Sequence, residues 1–213
     1  RIEDINDAIK IIGLNNLKAI LVASSARTIM DQKYSVFKEI WNHCNRTAFY
    51  ARHIAMSFNN AKIAENVYLA GLLHDLGKIV LLSTSGSLSN WISDVTRSHS
   101  IRTTTIIEEL SIGISHSSIG ELIGKKWNLP EYLISAIKHH HSPLIADEKY
   151  RPIINIVYLA NEMCNIESHK YDYSYIDEEV LELFDLNDEE KFNLFHEEAK
   201  QLYDEQSKLL AKA

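Results

Sequence analysis

The stretch Gly71-Leu72-Leu73-His74-Asp75-Leu76-Gly77-Lys78 lies in the most apolar part of the chain. Residues 69–82 are hydrophobic nearly all round, so the pattern predicts one helix over 62–82, centrally buried in its later half. An imidazole and a carboxylate are adjacent inside it. Burying an ionised Asp75 is costly unless something pairs with it, and a divalent cation is one efficient partner. The other is a nearby basic group or a set of helix hydrogen bonds, with His74 a satisfied core histidine. The pair alone does not decide between them.

Working outward, further candidate ligands fall on separate predicted helices: His43 before the pair, His116 after it, and His140 with His141 later still. Several imidazoles with a carboxylate suit manganese, iron, zinc or magnesium, as one ion or two. His43 rides at the edge of a stripe, from Phe37 through Trp41, Cys44, Ala48, Ala51, Ile54 and Ala55 to Phe58, that recurs at three and four and predicts a helix over 35–58 capped by Ser35. Helices are also expected over 2–12, ended by Gly13, and over 17–28, 91–98, 105–110, 115–127 and 131–140, the last with Pro130 at its first turn. Ser-rich residues 83–89 read as a loop, and Pro143 and Pro152 bracket another. A buried helix resumes at Ile153.

Only three prolines and seven glycines punctuate 213 residues. Tight hairpins need more turn residues than that, so the fold class expected is all-α. With 46% hydrophobic and 24% charged residues the chain is an ordinary globular one. Its formal charge of −7, with no basic patch, argues against nucleic acid as a partner. The absence of a long apolar run or a cleavable leader argues against a membrane and for the cytoplasm. Cys44 and Cys164 read as reduced core thiols. Beyond Ser168 the composition turns acidic, with Glu178, Glu179, Glu182, Asp185, Asp188, Glu189 and Glu190. The expected organisation is a main helical domain over 1–168 and an acidic helical extension over 169–213 packed on it.

Residues 71–78 resemble the defining motif of the HD superfamily of metal-dependent phosphohydrolases. The wider pattern resembles the HDOD branch, a group of bacterial signalling domains. Its further parts are residues 6–14, Trp41-Asn42-His43, Glu109 through Gly113-Ile114-Ser115-His116 to Gly120, Trp127-Asn128-Leu129-Pro130, Ala136-Ile137 and His140-His141-Ser142-Pro143. The resemblance covers residues 2–164 and implies an HD-domain helical bundle. It implies metal contact by His43, His74, Asp75, His116, His140 and His141. Lys78 is placed beside a substrate phosphate, as in the active cyclic-dinucleotide phosphodiesterases of the related HD-GYP branch, where a point cation stabilises charge developing on phosphoryl oxygens. The alternative for Lys78 is a helix-end lysine in solvent. His139 falls outside the ligand pattern, and His53, His99, His169 and His196 read as surface residues.

Two departures bear on function. Active HD enzymes close the site with an aspartate on the last helix, where this chain has Asn161 in Leu159-Ala160-Asn161-Glu162. An amide oxygen can ligate a metal but brings no charge and no general base. The HDOD branch also ordinarily begins with helices ahead of the Asn6 segment, and this chain opens at Arg1, as a fragment or processed chain does. The resemblance therefore implies a regulatory domain with an HD-type metal site and little or no catalysis, engaging a signalling protein or a nucleotide. The competing reading is a phosphohydrolase acting on a nucleotide or cyclic dinucleotide, with Asp75 and Lys78 as its catalytic residues. A plain helical domain with satisfied core histidines ranks third. Nothing in the sequence names the oligomeric state.

Overall fold

The computed structural model describes residues 13, 16, 17, 19–21, 24, 35–84, 104–168 and 172–210. Among them there is no strand, and the regular elements are helices. These are α1 (Ser35–Ser57), α2 (Ala64–Leu73) after a 3-10 turn at Ala61–Ile63, α3 (Leu76–Thr84), α4 (Thr104–Ile112), α5 (His116–Lys126), α6 (Glu131–His139), α7 (Arg151–Glu167), α8 (Glu178–Leu183) and α9 (Glu189–Leu210). The all-α expectation holds.

Helix α7 is the axis of the fold: every residue from Ile153 to Asn165 is buried. It packs against α1, α2 and α6, and α5 packs on α3 and α6. Each large aliphatic residue buried here, such as Leu133, Ile137, Ile154 and Leu159, contributes roughly 1.5–3 kcal/mol relative to exposure. Small residues set how closely the helices approach. A Cβ on Gly71 would lie 2.8 Å from the Ala48 Cα, so α1 and α2 meet at backbone contact. At Gly77 a Cβ would lie 1.9 Å from the carbonyl oxygen of His116, so only glycine lets α3 sit against the start of α5.

The single helix expected over 62–82 is instead two helices. His74 and Asp75 occupy the turn between α2 and α3, where the Lys78 N–H donates to the Asp75 carbonyl at 2.9 Å. Apolar residues continue on both sides of the break, so periodicity carries no sign of it. Residues 83 and 84, expected to begin a loop, finish α3, and 85–89 lie outside the described residues. The helices expected over 2–12 and 91–98 also lie outside them. Of the one expected over 17–28, residues 17, 19–21 and 24 are described, and all are helical. Pro152 belongs to the first turn of α7, where its missing N–H costs nothing, and not to a loop.

Helix α4 stops at Gly113, whose φ of +78° is the left-handed conformation of a helix end. Ser115 then caps α5, its hydroxyl accepting from the Ser118 N–H at 3.4 Å. This stop and restart place His116 at the first position of α5, buried and facing the His74–Asp75 turn.

Two of the histidines read as surface residues are not. His196 on α9 is only 5% exposed and bonds Glu167 at 3.0 Å. His53 is half-buried and stacks on Phe195 at 5.1 Å. Both are covered by α9, whose acidic outer face hides an inner one of Phe192, Phe195, His196, Ala199 and Tyr203. Tyr203 meets Phe49 edge-on at 5.4 Å. Residues 99 and 169 lie outside the described set. Cys44 and Cys164 are buried thiols, and burial pushes both well above the ordinary range, Cys164 to about 12.

Candidate metal centre

Six residues from four places in the fold converge. His43 comes from α1, His74 and Asp75 from the α2–α3 turn, His116 from the start of α5, and His140 with His141 from the end of α6. These are the residues singled out in the sequence. His139, one position earlier, is not among them.

Asp75 stands at the centre, 1% exposed. Its Oδ1 lies 3.4 Å from His116 Nε2 and 3.6 Å from His140 Nε2. Its Oδ2 lies 3.4 Å from His74 Nε2, 3.8 Å from His43 Nε2 and 2.8 Å from Lys78 Nζ. Burial alone would raise this carboxyl, but the Lys78 ammonium and the imidazoles of His74 and His116 outweigh it and hold it well below the usual range. Lys78 is thus not the helix-end lysine of the solvent alternative: its side chain is 21% exposed and its ammonium is tied to Asp75.

The ring protons follow from the acceptors. His74 Nδ1 donates to the Gly71 carbonyl at 2.7 Å and His140 Nδ1 to the Ile137 carbonyl at 2.8 Å. His116 Nδ1 donates to the Glu108 carboxylate at 2.7 Å. A neutral imidazole holding its proton on Nδ1 has a bare lone pair on Nε2. The three Nε2 atoms turn those lone pairs inward. His116 and His140 then face each other at 3.2 Å with no proton between them, and His141 Nε2 is also 3.2 Å from His116 Nε2. Burial, with the neighbouring imidazoles, pushes His140 and His141 far below the ordinary histidine range. His74 Nε2 and Asp75 Oδ1 are buried without a hydrogen-bond partner.

Converging lone pairs, an orphaned imidazole nitrogen and an orphaned carboxylate oxygen are what a divalent cation satisfies. The spacing agrees. Ligands about 2.0–2.2 Å from one ion lie about 2.8–3.1 Å apart at neighbouring octahedral positions and about 3.3–3.6 Å apart in a tetrahedron, close to the 3.2 Å from His116 Nε2 to His140 and His141 Nε2 and the 3.4 and 3.6 Å from Asp75 Oδ1 to His116 and His140. The residues therefore fit the metal that the sequence resemblance implies. Such an ion would polarise a phosphoryl oxygen and lower the pKa of a bound water.

Glu108 escaped the sequence reading, which had quoted its neighbour Glu109. It is 1% exposed, and one carboxylate oxygen accepts from both the backbone N–H and Nδ1–H of His116, each at 2.7 Å. Glu109 is exposed. Burial raises the Glu108 carboxyl, and the two bonds from His116 more than reverse that. Carboxylates behind ligating histidines fix ring orientation and increase basicity. Asn161, which the resemblance sets in place of a closing aspartate, has its Oδ1 2.9 Å from His43 Nε2 and its Nδ2 directed to Glu162 at 3.3 Å.

A groove of about 420 Å³ opens beside His141, lined by Thr105, Ile106, Pro143, Leu144 and Ile145 among others. No helix among the described residues is long and apolar enough to cross a membrane.

Among solved structures, the chain is similar to an HDOD domain protein of unknown function from Geobacter sulfurreducens. That match has a TM-score of 0.68 and 23% identity, over 95% of this chain and 72% of the other. It is also similar to a Shewanella amazonensis protein provisionally named a phosphohydrolase, with a TM-score of 0.63 and 16% identity over 95% and 74% of the two chains. A Marinobacter aquaeolei protein provisionally named in signal transduction matches with a TM-score of 0.68 and 16% identity, over 100% of this chain and 47% of the other. At these identities the likeness shows the fold alone. An uncharacterized protein of Treponema pallidum (strain Nichols) is 27% identical over 188 residues, which is 88% of this chain and 36% of that protein. The chain thus spans about a third of the length of that relative. The model of the HDOD domain matches residues 1–143, more than half of the sequence, and the chain therefore belongs to the HDOD family.

Proposed function

We propose that this chain is a cytoplasmic signal-transduction domain of a bacterium, organised around an HD-type divalent metal site and turning over phosphodiesters slowly or not at all. His43, His74, Asp75, His116, His140 and His141 are the candidates from which its ligands are drawn, and the output is contact with a signalling protein or a nucleotide.

One observation carries the regulatory reading: the fourth side of the His43, His74 and Asp75 group is closed by the neutral Asn161, hydrogen-bonded to His43. An amide there supplies neither charge to hold a second dication nor a base to take a proton from water. Lys78 points the same way. Its ammonium is engaged by Asp75 at 2.8 Å, whereas a phosphate clamp needs it turned toward substrate. The provisional naming of the Marinobacter relative in signal transduction supports this reading, and that of the Shewanella relative supports the hydrolase alternative.

The test is metal analysis of untagged protein, followed by assays of nucleotides and cyclic dinucleotides with manganese or iron. Bound metal without turnover is the expected result. Turnover at about 1 s⁻¹ or faster, within the ordinary enzyme range, would refute it in favour of a phosphohydrolase using Asp75 and Lys78. Asn161→Asp separates the two further, since activity gained only in that variant marks the natural chain as regulatory.

A further inference from the structure

We infer that the site takes one divalent ion, held by Asp75 Oδ1, His116, His140 and His141, and that the Lys78 ammonium with the His43–Asn161 hydrogen bond stands in place of a second. The inference rests on the metal reading above and sharpens it to a number and a position.

The two halves of the cluster differ in what the protein has already satisfied. In one half, His43 Nε2 has Asn161 Oδ1 at 2.9 Å and Asp75 Oδ2 has Lys78 Nζ at 2.8 Å. That leaves His74 Nε2 as its one uncommitted donor atom. A single imidazole does not hold a dication, because structural and catalytic sites draw on three or four protein ligands. In the other half the Asp75 Oδ1 is orphaned, and His116 and His140 direct proton-free nitrogens at the same space. His141 adds a third nitrogen 3.2 Å from His116. Glu108 fixes this half from behind by its two bonds to His116.

Charge gives the same answer. Asp75 is the carboxylate shared by the two halves, and one of its oxygens already faces an ammonium. A second dication would add two positive charges beside Lys78 and gain only an amide dipole from Asn161. The fold holds the ammonium there: Lys78 is one turn along α3 from Asp75, and Gly77 locks that turn against the His116 carbonyl.

The experiment titrates the metal-free full chain with Mn(II), reading stoichiometry by calorimetry and the environment of the ion by electron paramagnetic resonance. One equivalent with an uncoupled Mn(II) spectrum is expected. Two equivalents, or a spin-coupled pair, would overturn the inference and leave the metal reading standing. No binding would overturn both. Position is read from variants that keep a circular dichroism spectrum like the parent. His116→Ala and His141→Ala are expected to lose more affinity than the roughly 10- to 100-fold typical of an outer-shell partner. His43→Ala is expected to change it by less than about 10-fold, and the reverse order would place the ion in the other half and refute the assignment. Finally, Lys78→Met with Asn161→Asp is expected to admit a second equivalent. If that pair of changes leaves the stoichiometry at one, Lys78 and Asn161 are not what limits it.

Discussion

Glu108 offers a sharp perturbation because Glu108→Gln nearly keeps its shape while replacing the charged carboxylate with a neutral amide. In the parent one oxygen accepts two hydrogen bonds from His116, both at 2.7 Å and both out of solvent. Bonds to a charged acceptor contribute roughly 1.5–3 kcal/mol and neutral ones roughly 0.5–1.5, so neutralising the acceptor removes about 1 kcal/mol from each. The amide recovers part of this by avoiding carboxylate burial. That recovery is incomplete, because the Glu108 carboxyl is held below its ordinary range despite burial, so its bonds already outweigh desolvation. The metal-free variant should therefore lose about 1–2 kcal/mol, a fall in Tm of about 2–8 °C for a chain of this size. Metal affinity should fall roughly 10- to 100-fold, since the imidazole loses the carboxylate that polarises its Nδ1–H. Thermal melts with chelator and calorimetric titration with Mn(II) read the two effects separately. An unchanged melt together with affinity within about threefold would refute the role assigned to Glu108.

Other outcomes follow from the same geometry. Gly77→Ala should cost about 3 kcal/mol or more, because its Cβ would overlap the His116 carbonyl at 1.9 Å, and a melt within about 1 °C of the parent would contradict that close approach. Chelation should lower the Tm of the metal-loaded chain, since an ion present at about 100 times its Kd stabilises by about 2.7 kcal/mol, and scanning fluorimetry with and without chelator detects this. At Glu167, burial raises the carboxyl but bonds from His196, Tyr50 and Arg46 pull it below its ordinary value. Its contribution is then full above the unfolded glutamate pKa of about 4.3 and lost as pH falls through the lower folded value, so the urea-melt gap between parent and Glu167→Gln should close in acid. Glu167→Ala should cost about 2–4 kcal/mol near neutrality, chiefly by orphaning the buried Tyr50 hydroxyl, and less in a Tyr50→Phe background.

The candidate ligands were legible because they are chemically conspicuous: a His-Asp pair in an apolar run needs a partner for its carboxylate, and histidines on separate helices around it offer a shared cation as one such partner. What stayed hidden was local geometry that leaves no trace in hydrophobic period. The chain breaks at His74 and Asp75 without glycine or proline at the break itself, while apolar residues run through both flanks. Glu108 and Glu109 are the same letter at adjacent positions. Only helix phase separates them, with Thr105, Glu108 and Ile112 on the inner face of α4 and Glu109 and Leu110 outside. His196 misled for a different reason. It lies in an acidic segment that reads as solvated, yet a helix with one acidic face still needs an inner one, and Phe192, Phe195, Ala199 and Tyr203 mark that face at helical spacing with His196 among them.

Those inner-face contacts tie the acidic helix to α1, which carries His43, and to α7, which carries Asn161. Along the seam between α1 and α7 three polar contacts succeed one another. His43 meets Asn161 at the candidate metal centre, Thr47 donates to the Cys164 sulfur at 3.5 Å, and Arg46 and Tyr50 both reach Glu167, which also holds His196 of α9. In a seam of small and apolar side chains these polar groups fix register, since a slip by one residue would leave several of them buried without partners at roughly 1–3 kcal/mol each. The position of Asn161 against His43 is therefore not set locally. It depends on the same interlock that seats α9, so the geometry at His43 and the docking of α9 draw on one set of contacts.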